Sequence, residues 1–245
     1  MEVASDRFRP TRPDSRGGME DLQADIAAAA AFEDEVDFTP TDVRNGDAVV
    51  AGVDQAFLDD RAVSAVVVLR GGEVIAREHA VTPLSMPYVP GLLAFREGEP
   101  IVAALEALDI DPDLLVFDGS GRLHYREAGI ATHIGVCFGV PAVGVAKSLL
   151  CGHPRRGTDA LDAGDRVPIE ADDSMTAPDG TVVGHAYQSR QYPNSTRINP
   201  LYVSPGHRLS AETALDCVAA AGGEYKLPRP TRLADQYAAE LKAER

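Results

Sequence analysis

The stretch AVVAGVDQAFLDDRAVSAVVVLRGGEVIAREHAV, residues 48–81, decides the fold. Ala48 to Val53 is an unbroken apolar run and Ala62 to Leu69 is a Val-rich one, each of strand length and bounded by polar residues. Gly71-Gly72 supplies the backbone freedom of a two-residue hairpin and leads into a third strand, Val74 to Val81. These three make an antiparallel meander. Working outward, Pro100 suits the first turn of a helix that continues over Ile101 to Leu108, and Leu114 to Phe117 reads as a short buried strand. Ala128 to Phe138 reads as a second helix and Ala142 to Val145 as another buried strand, with further helices from Ala211 and Leu233. The order is β-β-β-α-β-α-β. Upstream, Met19 to Phe32 has helical propensity, while Pro- and Arg-containing residues 1–18 read as a flexible tail. Residues 19–245 then form a single domain, since no linker interrupts them.

Composition narrows the class. Apolar residues at 44% and charged residues at 25% are those of a folded protein. No apolar run reaches the roughly 18 residues that cross a bilayer, and residues 1–18 are not signal-like, so the expectation is a cytoplasmic protein with no membrane partner. Cys137, Cys151 and Cys217 have no CxxC or Cys/His spacing and read as buried bystanders. The net charge of -15 disfavours phosphate backbones at ordinary salt. Molar salt, where the Debye length falls to about 3 Å, removes that objection. Only Lys147, Lys226 and Lys242 are lysines, and acids crowd surface-like positions such as Asp109, Asp111, Asp159, Asp172 and Asp173. Both features point to a halophilic cytoplasm.

The element order is that of an α/β, RNase H-like mixed sheet, three antiparallel strands followed by αβαβ and flanked by helices. In such a sheet the ligand crevice lies outside the carboxyl ends of the strands. Asp54 directly follows the first strand and Asp118 the fourth, and these strands would be parallel neighbours. Two carboxylates brought together in this way call for a cation, and a hard divalent ion such as Mg²⁺ prefers oxygen ligands and keeps several waters. Glu97 is a plausible third acid. Taken singly, an Asp after a strand is more often a turn or cap residue. Joint occurrence with Phe95-Arg96-Glu97-Gly98, Asp118-Gly119-Ser120-Gly121 and His124 shifts the balance to chemistry.

At these residues the chain resembles the endonuclease V family, over about Ala48 to Leu209. The motifs are AGVD at 51–54, PYVPGLLAFRE at 87–97, DGSG at 118–121, GVAKS at 144–148 and VSPGH at 203–207. The resemblance implies an Mg²⁺-dependent DNA repair nuclease, with Mn²⁺ able to substitute. It reads hypoxanthine in deoxyinosine and hydrolyses the second phosphodiester bond on its 3′ side, leaving a 3′-hydroxyl and a 5′-phosphate. On this pattern Asp54, Asp118 and Glu97 hold the metal, His207 is a further catalytic residue and Lys147 meets the scissile phosphate. Pro87, Tyr88, Val89 and Pro90 resemble the family's wedge, in which stiff prolines present an aromatic face to replace lost stacking. Gly91, Leu93, Gly119, Gly121, His124 and Ile130 correspond to the base pocket, and Arg96 and Ser148 join the nucleic-acid contacts. Ser120 and Tyr125 depart from the residues usual at their positions.

Three rivals remain at this stage. One is an RNase H-like nuclease indifferent to inosine, which would keep the acids but not need the wedge. Another is a non-catalytic inosine-binding module, disfavoured by the joint presence of Asp54, Glu97, Asp118, Lys147 and His207. The third is an inosine-specific ribonuclease, because 2′-hydroxyl contacts are not legible in sequence. A monomer is the default assembly.

Overall fold

A computed structural model describes residues 1–245 apart from Arg12, Asp14, Ser85 and Arg245. After a 3-10 turn at Asp6–Phe8, its elements in chain order are α1 (Arg16–Ala29), α2 (Pro40–Asn45), β1 (Val49–Phe57), β2 (Arg61–Arg70) and β3 (Glu73–Pro83). They continue with α3 (Leu93–Glu106), β4 (Leu114–Asp118), α4 (Ile130–Phe138), β5 (Ala142–Ala146), β6 (His153–Pro154) and β7 (Arg166–Glu170). The chain closes through β8 (Val182–Tyr187), β9 (Leu201–His207), α5 (Ala211–Ala220) and α6 (Arg229–Ala243). Among the described residues nine strands share one mixed sheet in the order β3-β2-β1-β4-β5-β9-β8-β7-β6.

The meander and the αβαβ that follows it form as the sequence leads one to expect. Gly71 and Gly72 take φ of 55° and 85°, the left-handed pair that a tight hairpin needs, and β1, β2 and β3 pair antiparallel. The strands β1, β4 and β5 are mutually parallel, with Val53 opposite Phe117 and Phe117 opposite Gly144. Period-two alternation splits the core between two faces. Val49, Ala51 and Val53 pack with residues of α3 and α4, whereas Val50, Val116 and Val145 pack with α5. On β2, Val63 and Ala65 meet Ala238 and Leu241 of α6, while Val67 and Leu69 meet Ala234. Helix α6 comes so close because Gly52 lacks a side chain: a Cβ there would lie 2.1 Å from the Pro230 backbone. No helix of the described residues is long and apolar enough to cross a membrane.

Two local expectations need correction. The third helix begins at Leu93, not at Pro100, which lies inside it. Pro100 removes the hydrogen bond to the Arg96 carbonyl, and burial against the core offsets the loss. Residues 1–10, read as part of a flexible tail, lie against the α3–α4 side. The Met1 ammonium donates to the Leu108 carbonyl at 2.6 Å, the Ala4 amide to Cys137 at 3.0 Å and His133 Nε2 to Phe8 at 3.0 Å. Partly buried Met1, Val3 and Phe8 supply the apolar reason.

Candidate active site

Parallel pairing of Val53 with Phe117 brings the next residues, Asp54 and Asp118, together at the carboxyl ends of β1 and β4. Both side chains fall on the face that carries α6, because Gly52 and Asp54 are two residues apart on one strand. Asp54 is buried, and its Oδ1 accepts from the Gln55 amide at 2.8 Å. Burial, reinforced by the charge of Asp118, pushes its carboxyl up to about 8. Glu97 approaches from α3 and is buried too. Burial pushes it up to about 7 against the opposing hydrogen bond from Arg96, whose Nη1 donates to Oε1 at 2.8 Å.

Lys147, just beyond β5, donates from Nζ to Asp118 Oδ2 at 2.5 Å. Partial burial alone would lower its pKa, but the hydrogen bond to Asp118 and the charges of Asp118, Asp54 and Asp235 raise it. Among the described residues no three His, Cys, Asp or Glu side chains already converge as a closed metal cage. The donor set still suits a hard cation: all its ligand atoms are carboxylate oxygens, and burial raises the pKa of Asp54 and Glu97, a penalty that a bound cation would offset.

Beside the acids lies a narrow cavity of about 60 Å³. Its lining includes Tyr88, Gly91, Leu93, His124 and Ile130, which the sequence pattern singles out, together with Ser120 and Leu150. Tyr88 stands 62% exposed at its rim. Gly91 takes φ of 79°, and its carbonyl accepts from Gln23 Nε2 at 2.7 Å and His124 Nε2 at 3.1 Å. His124 Nδ1 accepts from the Arg126 amide at 3.2 Å, so the neutral tautomer is fixed. Burial pushes this imidazole down to about 4, which keeps it neutral. It shapes the cavity and cannot serve there as an acid at neutral pH.

Residues 31–236 match the family model described as Endonuclease V. The chain is 74% identical over 243 residues to an endonuclease V of Natronomonas pharaonis, covering 99% of this chain and 98% of that protein. It is 57% identical to an endonuclease V of Halobacterium salinarum, covering 98% and 100% of the two chains. The chain belongs to the endonuclease V family. Among solved structures, Ciona intestinalis endonuclease V in complex with a 24mer DNA containing an inosine followed by a ribo-adenosine aligns with a TM-score of 0.76. Its identity is 26%, covering 94% of this chain and 98% of that one. The two relatives come from halophilic archaea, in keeping with the acidic, lysine-poor composition.

Within this family member, one residue expected at the site, His207, lies elsewhere, and several others serve the packing around it. His207 ends β9 opposite Ala142, at the start of β5, whereas Asp118 stands opposite Val145. The three-residue offset places it about 10 Å back along the sheet and two strands across from Asp118. There its Nδ1 accepts from the Ala31 amide at 3.2 Å, and burial pushes it down to about 4. It stands apart from the acid cluster. Gly121 serves packing as well: a Cβ there would lie 2.3 Å from the Pro205 carbonyl, and its amide donates to Ser204 Oγ at 2.9 Å. Gly119 gives room to Ile130, whose Cγ2 would lie 2.6 Å from an added Cβ. Arg96 is bound to Glu97 and stacks 4.5 Å from the Phe57 ring centroid, which makes it an orienting partner for the acid. Ser148 is exposed beside Lys147.

Sequence reasoning missed Asp235 and Gln23. Asp235 rides on α6, five residues beyond the Pro230 that rests on Gly52, and its charge acts on Asp54 and Lys147. Nothing local marks this Asp. The one clue is Gly52, a glycine inside an otherwise apolar strand, which signals close approach of another backbone. Gln23 sits in α1 and has no comparable clue.

Proposed function

We propose that residues 19–245 act as one catalytic domain that nicks DNA at the second phosphodiester bond 3′ to deoxyinosine, leaving a 3′-hydroxyl and a 5′-phosphate. The observation that carries this reading is the adjacency of two features: Asp54, Glu97, Asp118 and Lys147 at the strand ends, and the cavity under Tyr88 a few residues away along the 147–150 segment. Asp54, Asp118 and Glu97 would hold Mg²⁺, or Mn²⁺ in its place, with Asp235 adding negative charge behind them. Bound there, the ion supplies positive charge that acidifies the attacking water and steadies the leaving oxygen.

The other steps belong to the chain itself. Lys147 turns from Asp118 to a non-bridging oxygen of the scissile phosphate. Arg96 keeps Glu97 oriented. Tyr88, held between Pro87 and Pro90, fills the stack that the base leaves, and the cavity receives the base against Gly91, Leu93 and Ile130. The cavity must widen to do so. Unstacking costs a few kcal/mol, least for a mispaired base, so hypoxanthine opposite thymine is favoured before any contact is made. Three free, buried cysteines, whose thiols burial pushes up to about 11 or 12, suit the reducing cytoplasm. The enzyme would work there as a monomer.

The test is cleavage of matched labelled DNA and RNA strands, each with one inosine or none, in Mg²⁺ or EDTA and at low and molar KCl. An inosine-dependent, Mg²⁺-dependent nick in DNA that persists at molar KCl is the expected result. Equal cutting of inosine-free strands would overturn base selection. Preference for RNA would transfer the substrate to the other polymer.

A further inference from the structure

On the α6 side of Lys147 an open groove of about 550 Å³ runs past Arg197, Lys226 and Arg232. In a chain of net charge -15 with three lysines, two of those lysines line this one groove. Among the described residues Arg197, Lys226 and Arg232 form no ion pair. The Lys226 ammonium is pushed down by burial and then by the charges of Arg197 and Lys147, the mark of cations gathered without an anion.

Aromatic faces accompany the charge. Tyr192 and Tyr225 are 44% and 54% exposed and line the same groove. The Arg232 guanidinium lies 4.3 Å from the Tyr225 ring centroid, and the Tyr192 hydroxyl accepts from the Lys226 amide at 3.3 Å. Cations that track a backbone beside exposed rings are the features by which single strands are held without regard to sequence.

We infer that this groove holds the nucleic-acid strand on the 3′ side of the cut. The inference rests on the proposed function, and direction follows from position. The base cavity lies on the α3 and α4 side of the strand ends and the groove on the α6 side. Lys147 lines the groove and Leu150, three residues on, lines the cavity. A strand whose flipped base enters the cavity and whose cut lies 3′ of that base crosses the acids before it reaches the groove. The groove therefore takes the nucleotides beyond the scissile bond, and after the cut it holds the new 5′-phosphorylated end.

The test uses the full chain and two readouts. Inosine strands with a constant 5′ flank either stop just past the cut or continue well beyond it. The long 3′ flank is expected to lower KM about tenfold for the wild type, and Lys226→Gln with Arg197→Gln to abolish that gain with kcat unchanged. The second readout is binding of the 5′-phosphorylated, inosine-free product strand by fluorescence anisotropy. The double variant is expected to bind it about tenfold more weakly, and Lys226→Arg to restore it in part. A double variant that keeps the flank gain or product affinity, or that loses equally on both substrates, overturns the groove. Cutting without inosine preference overturns the proposed function, while product binding still decides the groove.

Discussion

The two recesses that flank the acids differ in nearly every physical respect. The cavity under Tyr88 is about 60 Å³, lined by glycines and apolar side chains with Gln23, Ser120 and His124 among them, and pinned by hydrogen bonds to the Gly91 carbonyl. The groove is about 550 Å³, open, basic and aromatic, and built on the long connection between β8 and β9 and on the approach to α6. A tight recess with fixed donors can refuse a wrong base, because an unpaired polar group inside it is costly. An open basic one tolerates any sequence, because phosphates are all alike. On the proposed reading, selection and grip are separated, with hydrolysis between them.

The sharpest way to break this division is to remove an acid. Asp118→Ala is expected to lower kcat by at least about 10³-fold while strand binding persists, measured by single-turnover cleavage beside anisotropy. His207→Ala should leave kcat near the wild-type value, since that side chain lies at the other end of β9 and serves the Ala31 amide. A collapse of kcat in a folded His207→Ala protein would return this histidine to the reaction.

Smaller effects are expected in the cavity. Tyr88→Ala removes an exposed ring whose stacking is worth about 1 to 3 kcal/mol, so KM for inosine DNA should rise about five- to 150-fold, with Tyr88→Phe close to wild type. Gly91→Ala acts on shape. At φ of 79° a Cβ costs about 1 to 2 kcal/mol and would stand 3.3 Å from the Tyr125 ring. The ratio of inosine to adenine cleavage should drop about fivefold with little change in metal dependence. An unchanged ratio would mean that the cavity does not read the base.

How far the sequence reveals these regions follows the same division. The first five strands are legible because Val-rich and other apolar runs of strand length agree with the hairpin signal of Gly71-Gly72. The strands β6, β7, β8 and β9 are not, since Pro154, Pro168 and Pro205 stand inside them and Gly184 and Gly206 interrupt the apolar pattern. Helix α2 was within reach: Thr39 and Asp42 form a capping box around Pro40, but its six residues carry no periodicity. At the site, Asp54, Glu97, Asp118 and Tyr88 are legible as candidates because they stand within contiguous motifs. Asp235 and the groove depend on where α6 and the 188–199 segment return in space, which no local pattern encodes. His207 failed for the complementary reason: a motif position was visible, but not the register that carries it away from the acids.

A change in stability tests the electrostatic basis of the acid cluster by itself. In the folded, metal-free protein the Asp54 carboxyl is pushed up to about 8, by burial first and by Asp118 second. In the unfolded chain it titrates near its ordinary value of about 3.9. Below about pH 4 both states hold the proton and burial of Asp54 carries no charge penalty. Between about pH 4 and 8 the unfolded chain binds fewer protons than the folded one, so stability falls as pH rises. Asp54→Asn removes this titration. In EDTA at pH 8 the variant should therefore be more stable than the wild type in urea denaturation, and the two should converge near pH 4. Saturating Mg²⁺ should reverse the ranking, because a cation that binds only the folded wild type stabilises it by mass action. If the EDTA curves of the two proteins run parallel from pH 4 to 8, Asp54 is not a buried charge awaiting a cation.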